Sequence, residues 1–333
     1  MVKTERHIRL FFLLAAGLLA GCSGDNPEAK VEKEIAMATN LTPMLKRANT
    51  IDDISELRGE DIWIDAYYDG TVTKYIDGAK LHYDASTWKF WEGSPGSQIH
   101  YYWPFEGSKT AGGVTASTLD IVGYCPFTAP NYVTDTTYDA EHGAAKMTCN
   151  LSNYMTLARQ KGDVDPIPEM DEYLMAVLPG QTYATQTAAG GALPLQFKHP
   201  FALVKFVINV ASGTHVQINS ISIAGLHTAG TCTYDGSTMT WGDYEGSATM
   251  EIAQVLKIGG TTETEPSFVV IPNDYGTKYL TVNATWDDWS DVTISDYGTD
   301  VDFNWEPGRI YTYNLTLDKY GLKVDVEKFT EQW

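Results

Sequence analysis

Ser86 and Lys89 stand three residues apart in Ser86-Thr87-Trp88-Lys89, the spacing of an SxxK acyl-transfer pair. That chemistry needs the serine at a helix start, so that the lysine one turn later lies beside it. Here the motif falls in a run that reads as a hairpin, so the match is chance. The chain has no HExxH, no CxxC pair, no P-loop and no GxSxG. His82, His100, His142, His199, His215 and His227 are scattered singly, without ligand spacing, which suits solvated or core-edge imidazoles. Two acidic stretches, "GDVDPIPEMDE" (162–172) and "DDWSDVTISDYGTDVD" (287–302), have carboxylates enough for calcium but lack EF-hand spacing, and read as solvated loops. No catalytic residue, metal or cofactor is expected.

Aromatic residues are a stronger feature. "WKFWEGSPGSQIHYYWPFEG" packs Trp88, Phe90, Trp91, Tyr101, Tyr102, Trp103 and Phe105 into twenty residues. Exposed coplanar rings would stack on sugars and make a glycan-binding surface protein. Alternatively they fill a β-sandwich core, where large rings supply much of the burial. Alternation puts Trp88 and Phe90 on one face, which suits the core.

The elements that would hold such residues begin after a leader. Lys3, Arg6 and Arg9 precede the apolar run "LFFLLAAGLLA" (10–20), which is too short to span a bilayer as a helix. Leu19-Ala20-Gly21-Cys22 follows, the pattern at which bacterial lipoprotein precursors are cut before a cysteine that becomes acylated. Residues 1–21 are therefore read as a signal peptide and Cys22 as a lipidation site that anchors the protein without a spanning helix. Removing residues 1–21 takes the formal net charge from −20 to −22. Such a surface excludes nucleic acid as a partner, since phosphates need basic patches. Cys125, Cys149 and Cys232 remain, an odd number; Cys125 could pair with Cys149, or all three are buried thiols, the preferred reading.

Residues 22–49 are polar, apart from a weak alternation through Ile35, Met37, Leu41 and Leu45, and read as a tether with a provisional strand. In "TPMLKRANTID" (42–52) Lys46 and Arg47 form a basic pair just before the folded body. From Ile62 the period is two. Ile62, Ile64, Ala66 and Tyr68 share a face, and "AKLHYDASTWKFW" reads as a hairpin with Leu81 and Tyr83 before the turn and Trp88 and Phe90 after it. Residues 138–161 are the one plausible helical or long-loop excursion, and "EYLMAVLPG" is a buried strand. The small, polar run "QTYATQTAAGGALP" (181–194) reads as a boundary between domains at 50–184 and 185–333. Beyond it Val204, Phe206, Ile208 and Val210 alternate, Asp235-Gly236 marks a turn, and further short strands follow. The expected class is all-β, antiparallel sandwiches.

The order of these pieces resembles the fimbrillin family, the lipoprotein-derived subunits of type V pili. The matching stretches are the Cys22 lipobox, "KRANTIDDISELRGEDIWIDAYYDG", "YIDGAKLHYDASTWKF", "HYYWPFEGS", "LDIVGYCPF", "LPLQFKHPFALVKFVINV" and "GRIYTYNLTLDKYGLKVDVEKFTEQW". The resemblance spans nearly the whole chain. It implies two transthyretin-like antiparallel β-sandwich domains in tandem, no catalysis, and residence at the outer membrane and then in a surface fimbria. It implies as partners other fimbrial subunits joined by strand addition, a processing protease, the membrane through its lipid, and a host or bacterial surface receptor. Arg47 stands where the family is cut to remove its first strand. Leu322, Val324, Val326 and Phe329, in the terminal segment 321–333, are candidates for a strand that either closes its own domain or is donated to a neighbour. Stalk, tip and anchor subunits all occur in the family, and an anchor keeps its lipid and first strand.

Overall fold

A computed structural model describes residues 33–41, 54–92, 96–104, 110–111, 114–115, 118–158, 172–210, 215–253, 256–259, 267–287, 292–318 and 321–332. Cys22, Lys46, Arg47, Phe105 and residues 159–171 lie outside them. Of Leu322, Val324, Val326 and Phe329 only the backbone is described.

The first sheet grows from the period-two runs. The elements are β1 (Met37–Leu41), the one-turn helix α1 (Ile54–Leu57), β2 (Ile62–Tyr68), β3 (Lys74–Asp84), β4 (Thr87–Glu92) and β5 (Ser97–Ile99). A minor ladder of β6 (Thr110–Ala111) and β7 (Val114–Thr115) precedes β8 (Leu119–Cys125). Then come β9 (Val133–Asp139), β10 (Ala144–Asn150), β11 (Thr156–Ala158), β12 (Leu174–Gln181), helix α2 (Tyr183–Ala188) and β13 (Leu193–Phe197). Strands β12, β8, β2, β3, β4 and β5 form one antiparallel sheet in that order. Alternation sorts its side chains: Ile62, Ile64, Ala66 and Tyr68 enter one core, while Tyr67, Val122, Tyr124 and Met175 enter another behind it. Both faces are covered, which is why all seven residues of β8 are buried.

The remaining strands are β14 (Ala202–Val210), β15 (His215–Leu226), β16 (Ala229–Tyr234), β17 (Met239–Glu245), β18 (Ala248–Ala253), β19 (Leu256–Gly259), β20 (Ser267–Val270), β21 (Asp274–Asp287), β22 (Val292–Asn304), β23 (Arg309–Asp318) and β24 (Gly321–Gln332). One sheet runs β11-β18-β15-β21-β22, with β19 also on β15, and faces another of order β20-β14-β23-β24. Val204, Phe206, Ile208 and Val210 project into the core between them, as their spacing requires. The expected all-β class is what the molecule has, although among the described residues three pairings are parallel: β1 with β13, β11 with β18, and β14 with β23.

Several expectations differ from the structure. Over the described residues 138–158 of the stretch 138–161 there is no long helical or loop excursion: β9 and β10 make a hairpin there. That hairpin joins β16 and β17 in a four-stranded sheet, β17-β16-β10-β9, built from both halves of the chain. The segment 181–194 is not an extended linker, because it carries α2 and opens β13, and β13 packs in the core of the first sheet. Within the acidic stretch 287–302, residues 292–302 are strand β22, not a loop, and pair residue by residue along β21. Cys125, Cys149 and Cys232 are buried free thiols, and burial pushes their pKa values up.

A buried carboxylate ties the shared sheet to the first one. Asp120, 2% exposed, accepts from the Tyr138 hydroxyl on β9 and from Gly180 N–H at 2.6 Å. Burial, with the Asp120 charge, raises the Tyr138 hydroxyl, which stays protonated and donates. Tyr138 also stacks on Tyr67 with centroids 4.2 Å apart.

The hairpin expected in "AKLHYDASTWKFW" is β3–β4, with Leu81 opposite Phe90 and Tyr83 opposite Trp88. Its two-residue loop puts Ala85 at φ 47° and Ser86 at φ 74°, a turn that favours glycine at the second position. Lys89 is engaged by Asp84 at 2.7 Å, so the SxxK pair is ordinary hairpin structure. Replacing Ser86 by Gly relieves left-handed strain at some entropic cost, and should stabilise the fold by about 0.5–1 kcal/mol. The check is a higher urea midpoint at unchanged m-value.

Candidate functional site: the seat of the first strand

The weak alternation before Lys46 becomes β1, and β1 is an inserted strand. Its inward side chains Ile35, Met37 and Leu41 are 1%, 4% and 3% exposed, packed with a core that includes Leu57, Ile64, Leu193, Leu195 and Phe197. Burying three such side chains contributes roughly 1.5–3 kcal/mol each. On one edge β1 runs parallel to β13, Met37 opposite Leu193 through Leu41 opposite Phe197, and Leu193 N–H donates to Ala36 C=O at 2.8 Å. On the other edge Glu34 bridges Tyr102 in antiparallel sense. Ile35 N–H donates to Tyr101 C=O at 2.7 Å, and Trp103 N–H to Lys33 C=O at 2.8 Å.

The parallel ladder continues past the end of β13 through a side chain. The Gln186 Oε1 atom accepts from Ala36 N–H at 3.1 Å, and its Nε2 donates to Glu34 C=O at 3.0 Å. A residue of a parallel strand bonds its neighbour in this way, donating to residue i−1 and accepting from residue i+1. Oε1 also accepts from Trp103 Nε1–H at 2.9 Å, so the amide ties β1 to the aromatic segment. Gln186 is 5% exposed. It is aimed inward by a six-residue helix whose start is a Thr182–Thr185 capping box and whose end is Gly190 and Gly191 at φ 87° and 101°.

Sequence reasoning missed Gln186 because 181–194 looked like linker. The available signal was Thr182-x-x-Thr185 followed by Gly190-Gly191, a helix start and stop inside a polar run.

The aromatic cluster serves this seat. Phe90 and Trp103 are buried, and Trp88 and Tyr101 pack against the same core. Phe90 meets Tyr101 edge-on at 5.0 Å between centroids. Burial raises the Tyr75 hydroxyl, which donates to Tyr102 C=O and so steadies the strand edge that receives β1. Rings in these roles do not make a sugar platform. At the rim, Lys33 Nζ lies 4.3 Å from the Tyr183 ring centroid and His100 pairs with Glu34 at 2.6 Å.

A cleft of about 760 Å³ elsewhere is lined by Asp61, Lys80, His82, Phe127 and Glu172, among others. Burial alone would raise Asp61, but Lys80 and His82, each 2.7 Å away, outweigh it and hold the carboxyl below its usual range. Those charges are spent on each other. Among the described residues no group of His, Cys, Asp and Glu is placed to hold a metal ion.

Substituting Gln186 by Ala would leave Ala36 N–H, Glu34 C=O and the Trp103 indole without this partner, at an expected cost of about 1–3 kcal/mol. Gln186→Glu should also destabilise, because the oxygen that replaces Nε2 faces the Glu34 carbonyl. Urea unfolding and faster amide exchange at Ala36 would register both effects; unchanged exchange at Ala36 would contradict the bridging role.

Residues 47–333 match the fimbrillin-like family, so the shared span opens at Arg47 and β1 lies outside it. No curated protein sequence matches the chain. Among solved structures, a fimbrial protein from Bacteroides vulgatus superposes with a TM-score of 0.59 at 13% identity, over 90% of this chain and 99% of its own. A putative cell adhesion protein from Bacteroides uniformis gives 0.52 at 18% identity, over 91% and 100%. These likenesses establish the shared fold, and with the match over residues 47–333 the chain belongs to the fimbrillin-like family.

Proposed function

We propose that this protein is a structural, non-enzymatic subunit of a cell-surface fimbria, exported as a lipoprotein acylated at Cys22 and assembled by strand exchange to support adhesion. One observation carries the reading. Strand β1 fills an apolar seat, paired with β13 along one edge and held on the other through its flank at residues 33–35, yet its covalent link to the body is the segment 42–53, which contains Lys46 and Arg47. A cut after Arg47 would leave β1 held by non-covalent contacts alone and detach the lipidated segment. The emptied seat would present unpaired N–H and C=O groups beside an apolar groove, a surface that recruits another strand.

Terminal strand β24 is the proposed donor. In the single chain it lies at a sheet edge, antiparallel to β23, with Leu322 opposite Leu317, Val324 opposite Leu315 and Phe329 opposite Thr312. Val326 follows Asp325, which pairs with Asn314 beside a bulge. Transfer to a neighbour's seat would exchange one ladder for partners on two edges. The division into two transthyretin-like domains, and a surface receptor, belong to the same proposal.

Subunits taken from assembled fibres should begin at Ala48, and N-terminal sequencing reads this directly. Arg47→Ala should leave the protein lipid-anchored and unpolymerised. Fibres whose subunits still begin at Cys22 would instead make this chain an anchor. Deleting residues 321–333 should abolish SDS-resistant ladders on gels, and normal ladders from the deletion would rule out donation by β24.

A further inference from the structure

The strand that occupies the seat fits it imperfectly. Its inward positions are 35, 37, 39 and 41, and three hold aliphatic or thioether side chains. The fourth is Thr39, opposite the fully buried Leu195. Thr39 is half-buried as a residue, but its Oγ1 is buried and has no hydrogen-bond partner within the protein. A buried unsatisfied hydroxyl is costly, whereas an apolar group of the same shape there costs nothing comparable. Apart from the rim contacts of Lys33 with Tyr183 and of Glu34 with His100, the contacts that fix β1 and its flank are apolar or made to backbone, including both bonds from Gln186. A seat that reads backbone accepts any extended segment, and side chains at the inward positions decide which segment wins.

Resting on the strand-exchange reading above, we propose that Thr39 makes β1 the weaker of two occupants, and that the segment of a second copy carrying Leu322, Val324 and Val326 displaces it once β1 is cut free. Those three residues alternate with Lys323, Asp325 and Glu327. An aliphatic side chain therefore enters where the threonine hydroxyl sat, and the charges stay outside. The twelve residues of β24 are long enough to cover the span 33–41 that β1 and its flank occupy. Backbone pairing is retained on both edges, so the exchange gains the desolvation that Thr39 loses.

Two arms test this, both on the full mature chain. In the first, amide exchange of residues 36–41 is compared for wild type, Thr39→Val and Thr39→Ser. Valine keeps the shape and deletes the hydroxyl, so β1 should open about tenfold more slowly. Serine keeps the hydroxyl, and opening should be at least as fast as in wild type. Valine opening as fast as wild type overturns the role of Thr39.

In the second arm a site for a sequence-specific protease replaces Lys46-Arg47. The nicked protein is mixed with a labelled peptide of residues 320–333. The peptide should enter wild type about tenfold faster than Thr39→Val, in which β1 is held more tightly. Equal entry into both overturns the role of Thr39 while leaving strand exchange intact. No entry into either, with β1 still bound, overturns the exchange reading and the occupant named here.

Discussion

A strand seated in a sandwich must satisfy its backbone N–H and C=O groups wherever they turn away from water. In this molecule that demand centres on residues 33–41. β13 covers one edge, the segment 101–103 covers the other, and the Gln186 amide supplies the rung that β13 is too short to give. Much else follows from this arrangement. The capping box of α2 fixes where Gln186 points, Trp103 is positioned by the same amide, and Tyr75 holds the receiving edge by donating to Tyr102.

The central sheet separates two cores, and this limits what happens when one is opened. Residues 62, 64, 66 and 68 face the core that β1 completes, whereas Tyr67, Tyr124 and Met175 face the larger core behind. That larger core is sealed by a sheet drawn from both halves of the chain and pinned by the buried Asp120. Loss of β1 therefore uncovers one side of the sheet while the contacts on the other side stay in place.

Parts of this were plain from residue order. A period of two from Ile62, the turn at Asp235-Gly236 and the hairpin with Leu81 and Tyr83 before its turn and Trp88 and Phe90 after it are local properties, and they appear in the fold as read. The first strand was legible only as a faint pattern, because Thr39 and the small Ala36 and Ala38 dilute it. Gln186 was not legible at all, since a glutamine in a polar run carries no mark of its distant partners, 150 and 152 residues away.

The sequence by itself determined the class of fold and the faces of its strands, because side-chain direction along a strand depends only on position parity. It also determined the family, through pieces arranged in order. Only the tertiary structure decided that 181–197 completes the first core, that β9 and β10 join β16 and β17, and that three strand pairs run parallel. Each of these is a choice of partner between segments far apart in the chain. Hydrogen bonding obliges every strand to find a neighbour, but which neighbour it finds is settled by how all the faces pack at once.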